Sequence, residues 1–207
     1  NDWQSDIDEA SSLGVQHISA YSLMYEEGTP LFRLLNEKKI KEINEETSLK
    51  MYEMLIESLT NNGFEHYEIS NFALPGYRSK HNSSYWKQIP YLGIGASAHS
   101  YNIVSRQWNI SDVKDYIRFV NSSSHEYIEE TEHLTDTERY NDIITTTLRT
   151  SDGIDTRTLP QRHRDFILKA SQKHIALGNL SLDNGIIRLT RQGLFISDSI
   201  MVDLIEE

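Results

Sequence analysis

Eight histidines and no cysteine set the terms for any metal chemistry in this chain of 207 residues. Without thiols, disulfides, thiolate zinc sites and cysteine-held iron–sulfur clusters are excluded for these residues. No two histidines have the His-x-x-x-His helical spacing with a neighbouring glutamate, and His17 and His66 fall in predicted strands, where hydrogen-bonded core histidines are common. His81 and His99 stand apart. One lies in a long aperiodic loop and the other follows a run of small residues, both near the carboxyl ends of predicted strands, where an α/β fold places its site.

That run, "PYLGIGASAHSY" from Pro90 to Tyr101, strips its side chains down to Gly93, Gly95, Ala96, Ser97 and Ala98. Small residues let a backbone come close to a ligand or to a packed neighbour. "GIG" is a weak dinucleotide fingerprint, since a third glycine and a following helix are missing. In "EISN", Glu68 and Ser70 alternate with Tyr67, Ile69 and Asn71, and polar residues inside a strand imply that one face meets a cavity. Glu26 and Glu27 read as a solvated turn. Arg157, Arg162, Arg164, Lys169 and Lys173 make a basic helix where a winged helix would carry its recognition helix, yet the surrounding acidic balance favours a charged outer face.

The elements that must position these residues begin with a helix on Trp3, Ile7, Ala10 and Leu13, stopped by Gly14. A strand over 15–23 follows, then a helix capped by Thr29 and Pro30 and a longer one from Asn44 to Asn61, ended by Gly63. "FEHYEISNF" is the second strand, and this order implies parallel strands joined by right-handed crossovers. Residues 73–90 read as a functional loop and 91–101 as a small-residue strand. After about Asn102 come a short helix following Ser111, a polar break at Ser122–Ser124, and a capping box on Thr135 and Glu138 opening a helix to Arg149. A helix from Pro160 to Leu177, a hairpin about Asp183, Asn184 and Gly185 and a final helix capped by Thr190 complete a small winged-helix-like domain.

The composition, 38% hydrophobic and 25% charged, is that of a globular protein. No apolar run approaches the roughly 20 residues that span a bilayer, so the reading is of a soluble, cytoplasmic protein. A formal charge of −11 argues against general binding to nucleic acid or anionic membrane. The chain opens without an initiator methionine and inside a helix that has no preceding partner, which reads as a piece of something longer.

Three stretches, "HISAYSLMYEEGTPL", "HYEISNFALPGYRSKHNSSYW" and "YLGIGASAHSY", together resemble the oxygen-independent coproporphyrinogen III oxidase-like radical S-adenosylmethionine family, in its haem-chaperone branch. The resemblance covers essentially the whole chain. It implies an α/β fold: the C-terminal portion of an incomplete (β/α), TIM-like barrel over residues 1–110, then a small α+β winged-helix-like domain over 111–207. It also implies a four-iron four-sulfur cluster and S-adenosylmethionine in the full-length protein, with the cluster cysteines outside this sequence, so that this piece has no catalytic residue or metal ligand of its own. The function implied is oxidative decarboxylation of porphyrinogen propionates; the alternative is a chaperone that binds haem and passes it to acceptor proteins, and a winged-helix interaction module comes third. Met24, Gly93, Gly95, Ala98 and His99 are carried over as lining the cofactor pocket. Arg78, Lys80 and His81 suit the propionates of a porphyrin, and Tyr85 and Trp86 its ring.

Overall fold

The computed structural model describes residues 2–122 and 127–207. Two compact units emerge, Asn1–Ser79 and Lys80–Glu207, and the expected domain junction at 110/111 falls inside the second. Past Ser122, the expected polar break lies outside the described residues.

In the first unit, α1 (Asp2–Ser12) ends before Gly14, which takes a left-handed φ of +68°. β1 (His17–Ser19), α2 (Pro30–Asn36), α3 (Glu45–Asn61), β2 (Glu65–Glu68) and β3 (Asn71–Ala73) follow. The Thr29 and Asn44 side chains cap α2 and α3 by accepting the Phe32 and Thr47 N–H groups, as their residue types predict. Trp3 Nε1 donates to the Met51 carbonyl, fastening α1 to α3. Ile7, Leu55, Ile56 and Leu59 are buried, each contributing about 1.5–3 kcal/mol on leaving water.

The strand pairing corrects the expectation of neighbouring parallel strands. β3 lies between β1 and β2 and is antiparallel to both, so the two run the same way without touching. "FEHYEISNF" is not one strand but a hairpin, because the Glu68 carboxylate accepts the Ser70 N–H while the Tyr52 hydroxyl donates to the Ile69 carbonyl. That early turn also shortens β1. Beyond Ser19, Ala20 N–H still donates to the Ser70 carbonyl, and the expected strand to Leu23 then leaves the sheet with Tyr21, Leu23 and Met24 exposed.

The second unit opens with α4 (Lys80–Trp86), inside what reads as a loop from the sequence. The expected strand over 91–101 is reduced to β4 (His99–Tyr101) and one bridge from Tyr91 to Tyr101, because Gly95 (φ +118°) and Ser97 (φ +59°) cannot continue an extended chain. β5 (Ser105–Asn109) and, after α5 (Val113–Asn121), β6 (Ile128–His133) complete an antiparallel β4-β5-β6 sheet that the sequence reading lacks.

α6 (Asp136–Thr147) carries both hydrogen bonds of the capping box between Thr135 and Glu138. After β7 (Ile154–Asp155), the expected long helix runs as α7 (Gln161–Ala170) and α8 (Gln172–Ala176), and β8 (Leu180–Asp183) turns into β9 (Ile186–Leu189). Asn184 and Gly185 adopt φ of +49° and +80°, the positive pair a two-residue hairpin requires. β7 adds to β9, and α9 (Arg191–Leu194) and α10 (Ser197–Leu204) close the domain over Ile144, Leu148, Ile167, Ile187 and Ile200.

At the end of β7, Asp155 accepts from the Arg157 side chain and backbone N–H, which holds its carboxyl down at about 2. A depressed folded-state value contributes stability above the ordinary carboxylate range that disappears as pH falls toward 2. Asp155→Asn is therefore expected to flatten the loss of thermal stability between about pH 4 and 2, followed as Tm against pH.

Candidate functional site

α4 gathers four of the predicted residues, Lys80, His81, Tyr85 and Trp86, into two turns of helix. It ends at Gln88, which takes φ +52° while the N–H groups of Lys87, Gln88 and Ile89 return to the carbonyls of Ser83, Tyr85 and Ser84. Thr147 Oγ1 donates to the Trp86 carbonyl and ties α4 to α6. His81 and Tyr85, four residues apart, meet on one face: Tyr85 Oη lies 3.0 Å from His81 Nε2. Tyr85 in turn contacts Tyr91 edge to face at 4.8 Å between centroids, and Tyr91 lies 6.0 Å from Tyr101, so an aromatic row leads from the exposed His81 to the buried Tyr101. Burial raises the Tyr91 and Tyr101 phenols above their ordinary range.

The small-residue segment has an internal reason for its glycines. A Cβ on Gly93 would stand 2.2 Å from the His99 carbonyl oxygen, so only glycine lets these backbones lie together. At Gly95 a Cβ would meet nothing within 4 Å, and the constraint is its φ of +118°. The segment is held by residues that sequence reasoning missed. Buried Asn109 donates Nδ2 to the Gly95 carbonyl at 2.8 Å, its backbone N–H donates to the Ala98 carbonyl, Gly95 N–H donates to Tyr116 Oη, and Gly93 N–H to Ser100 Oγ. Nothing local in "RQWNI" marks Asn109, because its role depends on β5, which is too polar to read as a strand. His99 is exposed, with its ring 5.6 Å from Trp108.

The first unit holds Met24, 74% exposed in the segment after β1, and Arg78, which pairs with Glu65 at 3.0 Å and lies over the Tyr67 ring. His17 and His66 have core roles. His17 Nε2 lies 2.7 Å from Tyr67 Oη, with burial lowering its pKa, and His66 stacks on Phe72. Glu68 and Asn71, placed on opposite faces by simple alternation, are bonded to each other and buried, and Ser19 Oγ donates to Asn71 Oδ1 at 2.6 Å. The hairpin turn between them overrides the alternation.

Several cations of the basic helix are committed to internal partners: Arg162 to Glu206, Arg164 to the Thr156 and Arg157 carbonyls, and Lys173 to Asp203. Among the described residues no group of three or more histidine, cysteine, aspartate or glutamate side chains stands ready to hold a metal. No helix among them is long and apolar enough to cross a membrane.

Residues 134–196 match the family described as the HemN C-terminal domain. Heme chaperone HemW of Bacillus subtilis (strain 168) is 30% identical over 198 residues, which is 94% of this chain and 52% of that protein. HemW of Lactococcus lactis is 36% identical over 115 residues, covering 56% and 30% respectively. The mouse protein named Radical S-adenosyl methionine domain-containing protein 1, mitochondrial, is 28% identical across 92% of this chain and 46% of its own length. Among solved structures, the coproporphyrinogen III oxidase HemN of Escherichia coli, a radical SAM enzyme, superposes with a TM-score of 0.68 over 96% of this chain and 50% of that one, at 16% identity. The chain thus spans about half the length of the first of these relatives and of the HemN chain. Its fold is the C-terminal portion of the HemN-type radical SAM architecture, and the chain belongs to the HemN-like radical S-adenosylmethionine family, in the branch of the haem chaperone HemW homologues.

Proposed function

We propose that this chain is part of a haem carrier that binds iron porphyrin and delivers it to acceptor proteins in the cytoplasm. The observation that carries this reading is the exposed His81–Tyr85 pair on α4, which offers an iron-binding donor at the surface beside Lys80, whose ammonium suits a propionate, and Trp86. The names of the curated relatives support the carrier over the porphyrinogen oxidase, since the likeness to HemN at 16% identity speaks for the fold alone. Arg78 belongs to the first unit, where it pairs with Glu65, and is a propionate candidate there by itself.

Under the same reading Gly93, Gly95, Ala98 and His99 of the second unit would stand against S-adenosylmethionine, and Met24 is a separate candidate for that cofactor within the first unit. The four-iron cluster calls for thiolates, and a chain without cysteine assigns it no residue. Bound there, that cofactor would supply radical chemistry; Asn109, Ser100 and Tyr116 fix the backbone that would stand against it.

Titrating ferric haem into the chain, with the Soret band as readout, is expected to give a saturable shift at one haem per chain. A spectrum that changes linearly without saturation would remove the carrier reading, and turnover of a porphyrinogen would return the weight to the oxidase.

A further inference from the structure

His81 and Tyr85 do not stand as two independent donors. Tyr85 Oη is 3.0 Å from His81 Nε2, the rings meet edge to face at 4.9 Å and 84°, and Tyr91 braces the phenol from another side. Nε2 is the imidazole nitrogen farthest from the main chain and the one best placed to reach a ligand, and it is already engaged. What the pair presents is the phenol oxygen, on a side chain 39% exposed, with an imidazole beside it able to take the phenolic proton. Ferric iron is a hard Lewis acid that accepts phenolate oxygen, and tyrosine serves as a haem ligand in other proteins.

We propose that Tyr85, not His81, is the iron ligand for ferric haem on α4, with His81 as its hydrogen-bonded positioning partner; this rests on the haem-carrier reading. As the Oη–iron bond forms, the phenolic O–H bond breaks and its proton passes to His81 Nε2. No electron moves and the iron stays ferric. Ferrous iron is softer and holds an anionic oxygen less well, so an external one-electron reductant would weaken the bond and the returning proton would regenerate the free phenol. A carrier built this way loads ferric haem and lets go of ferrous haem.

The test is a titration of the chain and of Tyr85→Phe and His81→Ala with ferric haem, followed by optical absorption, resonance Raman and electron paramagnetic resonance. Both positions are exposed, and circular dichroism checks that the variants stay folded. The unmodified chain is expected to show a high-spin ferric centre with an iron–phenolate vibration, and to bind ferrous haem more weakly. Tyr85→Phe should lose that vibration altogether, whereas His81→Ala should keep it and bind roughly tenfold more weakly, as loss of an outer-shell partner does. An unchanged spectrum in Tyr85→Phe, or loss of coordination in His81→Ala alone, would overturn the assignment while leaving the carrier reading intact. Absence of saturable binding by the unmodified chain would overturn both.

Discussion

Gly93→Ala is expected to destabilise the second unit by roughly 3 kcal/mol, the upper part of the range for forcing an extra methyl into a packed position. The new Cβ would lie 2.2 Å from the His99 oxygen, 2.6 Å from its carbonyl carbon and 2.8 Å from its nitrogen, all backbone atoms of β4. A flexible side chain can swing away, but a strand paired to β5 on one side and bridged through Tyr91 and Tyr101 can yield only by breaking those rungs. At about 2–4 °C per kcal/mol for a protein of this size, Tm should fall by roughly 6–12 °C. Leu92→Ala, at a side chain 74% exposed in the same segment, is the matched control and should stay within about 0.5 kcal/mol. Equal melting temperatures for Gly93→Ala and the unmodified chain would mean that the close approach of the two backbones is not needed. The residue is then free for the cofactor-facing role alone.

The structural features legible in the sequence are those written within four or five residues. Thr29, Asn44, Thr135 with Glu138, and the Asn184–Gly185 turn all act on backbone a few positions away, and each is where its residue type places it. Features fixed by distant partners were not legible. "FEHYEISNF" alternates well enough for one strand, yet Glu68 and Tyr52 bend it into a hairpin, and Tyr52 sits 17 residues from the carbonyl it holds. β5 and β6 are polar and pair mostly with each other, so neither shows the apolar alternation that reveals a strand. The candidate site follows the same division. His81, Tyr85 and Trp86 are visible as residue types, but the His81–Tyr85 hydrogen bond exists only because the stretch is helical, and "SKHNSSYW" has no apolar periodicity to say so.

Glu206→Leu should cost the second unit about 3 kcal/mol, near the lower end for breaking a buried ion pair because one of its partners is open to water. The Glu206 side chain is 6% exposed and lies 2.8 Å from Arg162 Nη2 and 3.2 Å from His163 Nδ1; the Arg162 side chain is 71% exposed, while that of His163 is 5% exposed. Removing the carboxylate leaves the arginine to water but strands the histidine, which is stacked on Tyr140 at 4.6 Å between centroids with an interplanar angle of 7°. Asn141 grips the Glu206 backbone through both its N–H and its carbonyl, and the Tyr140 hydroxyl donates to the Leu204 carbonyl, so the final turn stays in place while its charge is taken away. The loss should therefore trace to the orphaned imidazole. Unfolding by urea of Glu206→Leu with His163→Phe added should recover at least half of it, since replacing both partners by apolar groups of similar shape removes the unsatisfied donor. Strict additivity of the two changes would show that His163 and Glu206 do not act as a pair. Burial, followed by the Glu206 charge, holds the Tyr140 phenol above its ordinary range, so its contribution is complete below about pH 10 and fades at higher pH. In Glu206→Leu the phenol is held up by burial alone, so that alkaline loss should start from the same pH, be smaller and level off sooner than in the unmodified chain.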